Sequence, residues 1–388
     1  MFVRFRSRLS LNLMRIAFNA SLLYDAQLRG WNRYTVSLLR ELKTQGINLF
    51  LYSRKAVHPE IKKLLGPENI TYREAPHVNY FIWEQRTLVK WCQEDRIDLL
   101  HSPFNYGLPS SSPCPKVLTL HDVIEEKYYR PFQSLISKIK PSSIKYRYLQ
   151  SSAPKNADHI ITVSFHAKND IKEFYKVPEE KIDVTYESHP QEFEKKLSPE
   201  EKVQILSKYK VNYPFIFYIG GFDQRKNIPF LLEAFAKASL PEHRLVLGGS
   251  GDSTELQRKA SDLGINAFVH FTGYIDDLDL PAFYQSADAF AYPSLYEGFG
   301  LQVCESMASA CPTLVSDRGS LPEVLGEGGL YFDLDDPRAL AEMMSKISQN
   351  PDLKAELSEQ ALKRSKAFSW ANTALQTIEI YKRILNKN

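Results

Sequence analysis

Twice along its 388 residues the chain repeats one alternation: a short run rich in β-branched and aromatic residues, then a longer amphipathic stretch, then another short run. Such an alternation folds as parallel strands joined by crossover helices, with helices covering both faces of the sheet. In the first series the strands are predicted at 15–19, 48–52, 98–101, 116–120, 158–163 and 182–186, with helices filling the gaps. The polar stretch 187–202, which carries Pro190 and Pro199, breaks the pattern and reads as the linker between domains. A second series follows, with strands expected at 215–218, 244–247, 269–271, 289–292, 313–315 and 330–332. The remaining segments, 337–350, 352–368 and 370–385, read as three helices with no strand after them. The expected organisation is a doubly wound domain over 14–190, a second over 203–367, and a terminal helical segment over 368–388.

Length agrees with two cores, because single cores seldom grow beyond about 250 residues. A formal charge of +3 is too small to argue for nucleic acid, and 43% hydrophobic content is ordinary for a soluble globular protein. Cys92, Cys114, Cys304 and Cys311 form neither a Cys-x-x-Cys pair nor a dense framework, so they read as reduced thiols in a cytoplasmic setting. No apolar stretch approaches the roughly 18 residues that a membrane span needs. The basic opening Met1 to Arg8 resembles the start of a signal peptide, but Arg15 interrupts any apolar region, so residues 1–13 are expected to be a loose extension.

Two loops at expected strand ends carry chemistry. In Glu297-Gly298-Phe299-Gly300-Leu301-Gln302-Val303-Cys304-Glu305, two carboxylates flank a glycine-rich turn that runs into a helical stretch. Glycines let a ligand approach the backbone, and first-turn N–H groups favour an acceptor or an anion. Carboxylates accept hydrogen bonds, which suits hydroxyl pairs. By spacing alone the two glutamates would read as solvated helix-end charges; their place after the apolar strand 289–292 favours a ligand, because open α/β sheets bind ligands at strand C-terminal ends. After the strand at 215–218 comes Gly220-Gly221-Phe222-Asp223-Gln224-Arg225-Lys226-Asn227, a glycine turn followed by two cations and a helix start. Lys226 offers a point charge and Arg225 a bidentate fork, a combination suited to a diphosphate. An isolated Arg-Lys pair is more often a solvated surface feature.

Other motifs are weaker. Gly248-Gly249-Ser250-Gly251-Asp252 lacks the third glycine of a dinucleotide fingerprint, which argues against NAD. Asp277-Leu278-Asp279 and Asp333-Leu334-Asp335 have an Asp-x-Asp form, but each precedes an expected helix, where acidic residues serve as caps; no metal site is assigned. Residues 127–150 interleave Lys127, Arg130, Lys138, Lys140, Lys145 and Arg147 with aromatic residues and no acid. Such a segment suits an anionic membrane surface or an acidic acceptor, and equally a solvated helix with a packed aromatic face.

Pro293-Ser294-Leu295-Tyr296-Glu297-Gly298-Phe299-Gly300-Leu301, with Glu305-Ser306-Met307-Ala308 after it, resembles the signature of glycosyltransferase family 4, and the likeness extends more thinly over most of the chain. The resemblance implies the GT-B fold: two Rossmann-like domains facing each other across a cleft, with the terminal helix packed back on the first. It also implies a nucleotide diphosphate sugar as donor substrate, with no cofactor and no metal. On this resemblance Lys226 and Arg225 meet the leaving diphosphate together with the amides of Gly298, Phe299, Gly300 and Leu301. Glu297 positions sugar hydroxyls and Glu305 the ribose diol. Gly30 and Arg33, Gly221 and Gly249 line the phosphates, and Tyr274 marks the base segment, where it reads equally as a packing residue. His121, at the end of the strand 116–120, faces the donor sugar, and the His121-Asp122 form matches mannosyl-type members.

The chain departs from the family pattern at Gly221, where an Arg is frequent, at Asn32, where a second glycine is expected, and at Ala310, where glycine is usual. The expected activity is retaining transfer of a hexose, mannose favoured through GDP-mannose, to a glycan or glycolipid hydroxyl in cell-surface polysaccharide synthesis. A peripheral contact of 127–150 with the inner face of the plasma membrane is expected alongside it. A sugar-nucleotide epimerase or hydrolase of the same fold, and a non-catalytic sugar-nucleotide-binding protein, stay open as alternatives.

Overall fold

The computed structural model describes residues 14–25, 30–76, 78–129 and 141–387. Most of the basic aromatic stretch 127–150 and the extension 1–13 lie outside the described residues or have undescribed side chains. The chain divides into two compact units, one of 1–187 with 370–388 and one of 188–369.

The first unit is built on seven strands: β1 (Arg15–Asn19), β2 (Asn48–Ser53), β3 (Ile70–Glu74), β4 (Leu99–Ser102), β5 (Lys116–Thr119), β6 (His159–Thr162) and β7 (Ile182–Val184). Their order is β3-β2-β1-β4-β5-β6-β7, with every pair parallel. Strand β3 has no counterpart among the expected elements. It is an edge strand, and its Ile70-Thr71-Tyr72-Arg73-Glu74 sequence has no fully buried residue, so it carries little of the apolar signal that marks the interior strands. The helix Trp370–Lys387 belongs to this unit. Tyr381 bonds His101 Nδ1 at 2.5 Å, Thr373 donates to the Tyr186 carbonyl, and Trp370 meets Tyr34 edge-on.

The second unit holds β8 (Phe215–Ile219), β9 (Arg244–Gly248), β10 (Val269–Gly273), β11 (Ala289–Tyr292), β12 (Thr313–Ser316) and β13 (Leu330–Phe332). Their order is β10-β9-β8-β11-β12-β13, again with every pair parallel. All four residues of β11 and all four of β12 are buried, as a strand covered on both faces requires. In the unit, direction of strand succession reverses between β8 and β11. The loops that leave these two neighbouring strands therefore diverge and open a crevice at their C-terminal ends.

The stretch expected as a linker is ordered: the boundary between the units falls at its start, between Glu187 and Ser188, and the rest of it sits in the second unit. Phe193 is buried against Tyr284, Leu197 N–H bonds Gln285, and a capping box between Ser198 and Glu201 starts the helix Pro199–Lys208. Its charge and prolines reflect helix-end chemistry, and Phe193 supplies the anchor.

Candidate active site

The two loops at the β8/β11 switch point meet in the second unit. The strand β8 ends at Ile219, and the chain turns through Gly220 and Gly221, whose carbonyl accepts the Tyr218 hydroxyl at 2.8 Å. Asp223 then caps the short turn Gln224–Lys226 by accepting from Arg225 N–H. This turn drives both cations inward: Arg225 is 9% exposed and Lys226 6%. From β11 the chain passes Pro293 and Ser294 to Glu297, which is 7% exposed.

A single carboxylate oxygen gathers the site. Glu297 Oε1 lies 2.7 Å from Lys226 Nζ and 2.7 Å from Arg225 Nη1, and accepts from Ser294 Oγ at 2.6 Å and from the Tyr292 hydroxyl at 3.0 Å. Burial pushes the Glu297 carboxyl up, but Lys226 and Arg225 outweigh it and hold the group at about 2. The same burial lowers the Lys226 ammonium from its ordinary value, with Glu297 opposing that fall. The sequence expectation assigns Glu297 to sugar hydroxyls; in the structure these four protein donors all meet Oε1. Arg225 also donates to the Tyr296 carbonyl at 2.7 Å, so it braces the glutamate loop from within.

Ser320, buried and unpredicted, donates to the carbonyls of Glu297 and Phe299 at 3.0 and 2.8 Å, tying the loop to the segment after β12. Past Gly298 and Phe299 the backbone takes a positive φ of 100° at Gly300, and the helix Leu301–Ala308 starts there without a side-chain cap. Its first turn ends the loop. Glu305 lies more than a turn further on, 2% exposed, with the Tyr284 hydroxyl 3.3 Å from its carboxylate. Gly249 follows β9 and packs on the first glycine loop: a Cβ there would stand 1.8 Å from the Gly220 carbonyl oxygen, so the close approach needs glycine. Tyr274 follows β10 and is 49% exposed. Thus Gly221, Gly249, Arg225, Lys226, Glu297 and Gly298 to Leu301 fall at neighbouring strand ends of one sheet.

His121 and Gly30 lie in the first unit. His121 follows β5, and both ring nitrogens are engaged: Nε2 with the Pro103 carbonyl at 3.1 Å and Nδ1 with Glu187 at 3.0 Å. A carbonyl only accepts, so Nε2 is the donor in that bond. Tyr34 packs edge-on to the ring at 4.7 Å. Glu187 was read as the first residue of a linker; its acidity was visible, but its pairing across 66 positions was not. Gly30 precedes the helix Trp31–Thr44, which places Asn32 inside the first helical turn.

Among the described residues no group of three or more His, Cys, Asp or Glu is arranged to hold a metal. Asp279 instead accepts from Lys208 and Tyr209, and Asp336 caps the helix Pro337–Gln349 through Arg338 N–H. None of the four cysteines is in a disulfide, and all four are buried. No helix among the described residues is long and apolar enough to cross a membrane.

Two parallel-sheet Rossmann-like units, the second with a buried cation–carboxylate cluster at its switch point, define a GT-B glycosyltransferase architecture. A glycosyltransferase from Rickettsia africae has the same fold, with a TM-score of 0.73 at 19% identity over 97% of this chain and 99% of that one. Residues 200–364 match the family described as glycosyl transferases group 1, and residues 28–187 match glycosyltransferase family 4. The O-antigen chain mannosyltransferase B of Escherichia coli is 30% identical over 303 residues, covering 75% of this chain and 76% of the relative. The serotype-specific mannosyltransferase WbdA of Escherichia coli is 32% identical over 295 residues, but this chain spans only 36% of its length. The chain belongs to the group 1 glycosyltransferases of family 4.

Proposed function

We propose that this glycosyltransferase moves a hexose, mannose by preference, from GDP-mannose to a hydroxyl of a glycan or glycolipid, with retention at the anomeric carbon, in the synthesis of a cell-surface polysaccharide. The observation that carries this reading is the buried Lys226–Glu297 pair at the β8/β11 switch point, 2.7 Å apart. A buried ammonium at a strand end is suited to the charge that a departing diphosphate develops, and the amides opening the helix Leu301–Ala308 add to it. With these donors the leaving group is stabilised without a metal. The departing phosphate then takes the acceptor's proton as the new glycosidic bond forms on the same face of the sugar. Glu297 Oε2 accepts from a donor-sugar hydroxyl.

The preference for mannose is supported by the His121-Asp122 pair and by the mannosyltransferase relatives. Calorimetric titration against a panel of sugar nucleotides tests it: GDP-mannose should bind tightest, and equal weak binding of all removes the preference. Lys226→Ala should lower kcat by about 100- to 1000-fold while unfolding as a folded protein does, since one such donor is worth about 3 kcal/mol in the transition state. Full activity in that variant removes the leaving-group assignment. Activity should persist in a chelator. Release of free sugar with no acceptor consumed would make the chain a hydrolase.

A further inference from the structure

We propose that Tyr292 is a positioning residue for this chemistry: its buried hydroxyl sets the direction in which the Lys226 ammonium meets a diphosphate. The inference rests on the leaving-group role of Lys226 proposed above. Tyr292 ends β11 and is fully buried, stacked between Tyr218 at 5.9 Å and Phe290 at 5.5 Å. Phenylalanine already serves in that aromatic layer at Phe217 and Phe290, so packing alone gives no reason for a hydroxyl. A buried hydroxyl must be bonded, and this one joins three segments. It accepts from Lys226 Nζ at 2.5 Å and has Glu297 Oε1 at 3.0 Å and Gln302 Oε1 at 3.2 Å as acceptors for its own proton.

Lysine is a point charge on a flexible stem and does not aim itself. Its ammonium has three N–H bonds in tetrahedral array. Tyr292 takes one and Glu297 another, so the direction of the third is fixed by geometry, and the Nζ also stands 4.9 Å from the centre of the Tyr292 ring. Removing the hydroxyl frees one N–H to swing and removes an acceptor that favours the charged amine.

Tyr218 supplies the comparison. It belongs to the same stack and carries a buried hydroxyl, but that hydroxyl bonds the Gly221 carbonyl and does not touch Lys226. The charged groups acting on Lys226 are Glu297, Arg225 and Asp223. Burial raises both phenols well above their ordinary value, so neither titrates where the lysine does.

The test is calorimetric binding of GDP, with UDP in parallel, from about pH 7 to about pH 10, by the full-length wild type, Tyr292→Phe, Tyr218→Phe and Lys226→Met. Ionisation of the nucleotide base is common to all four proteins. In Tyr292→Phe, GDP affinity should fall about tenfold near neutrality and the pH at which binding is lost should move down by about one unit. In Tyr218→Phe that pH should stay at the wild-type value. An unmoved pH in Tyr292→Phe, or equal movement in both tyrosine variants, overturns the positioning role while leaving the function proposal standing. Lys226→Met should keep only the alkaline loss that base ionisation imposes; if its loss of binding with pH matches the wild type's in full, or if the wild type binds neither nucleotide, the function proposal itself fails and the inference with it.

Discussion

Replacing Glu297 by glutamine keeps the size of the side chain and removes the anion that Lys226, Arg225, Tyr292 and Ser294 share. The structure gives the magnitude in two independent ways. Holding a carboxyl at about 2 against its ordinary 4.5 corresponds to about 3 kcal/mol of folding stability at neutral pH. Breaking a buried ion pair by removing one partner costs about 3–5 kcal/mol, because the remaining charges stay buried without compensation. For a unit of this size that is a loss of roughly 10 °C in the unfolding temperature. The pH dependence has a definite sign. A carboxyl depressed in the folded state contributes stability that is fully present above pH 4.5 and is lost as pH falls toward about 2. Glu297→Gln should therefore be less stable than the wild type at pH 7, with the gap narrowing below pH 4.5. Urea unfolding at several pH values, followed by a signal from the second unit, measures both. A Glu297→Gln protein within about 1 kcal/mol of the wild type at pH 7 would refute the reasoning, since it would mean the two cations do not depend on this anion.

Ala310 offers a stabilising change. The helix Leu301–Ala308 ends in a Schellman arrangement, with Ala310 N–H on the Met307 carbonyl and Cys311 N–H on the Ser306 carbonyl, and Ala310 is forced to a φ of 55°. Ala310→Gly should gain about 1 kcal/mol, read as a rise of a few degrees in unfolding temperature with donor binding unchanged. His101 offers an acid-sensitive one. It is buried between Tyr381 and Thr119, and burial, with a smaller push from His121, lowers it to about 3. Because the fold holds this histidine neutral, the stability it contributes is present above pH 6.5 and is lost as pH falls from 6.5 toward about 3. The wild type should lose about 2 kcal/mol more between pH 6.5 and pH 5 than His101→Gln does, by urea unfolding of the first unit.

The parallel, doubly wound architecture is readable because burial on both faces writes itself into continuous apolar runs; the strands at 215–218, 289–292 and 313–315 are interior and buried and fall nearly to the residue where they are expected. The edge strand Ile70–Glu74 escaped for the converse reason, since a half-solvated edge needs no apolar run. Ala310 shows the same logic at one position: the unusual alanine was visible in sequence, and its left-handed backbone explains why glycine is usual there.

The two candidate loops are likewise legible, because glycine turns and charges at strand ends are local features. Partnership was not. That Lys226 and Glu297, 71 positions apart, share a buried contact follows from β8 lying beside β11, a pairing between strands that are not consecutive in the chain. The roles of Tyr292, Ser320 and Glu187 arise in the same way, for each acts through an atom brought near by folding. Local propensity and periodicity dictate which segments become strands and where glycine turns and charges follow them; which charges become buried together, and what their proximity does to them, depends on the order of strands in the sheet, and that order is a property of the packed core.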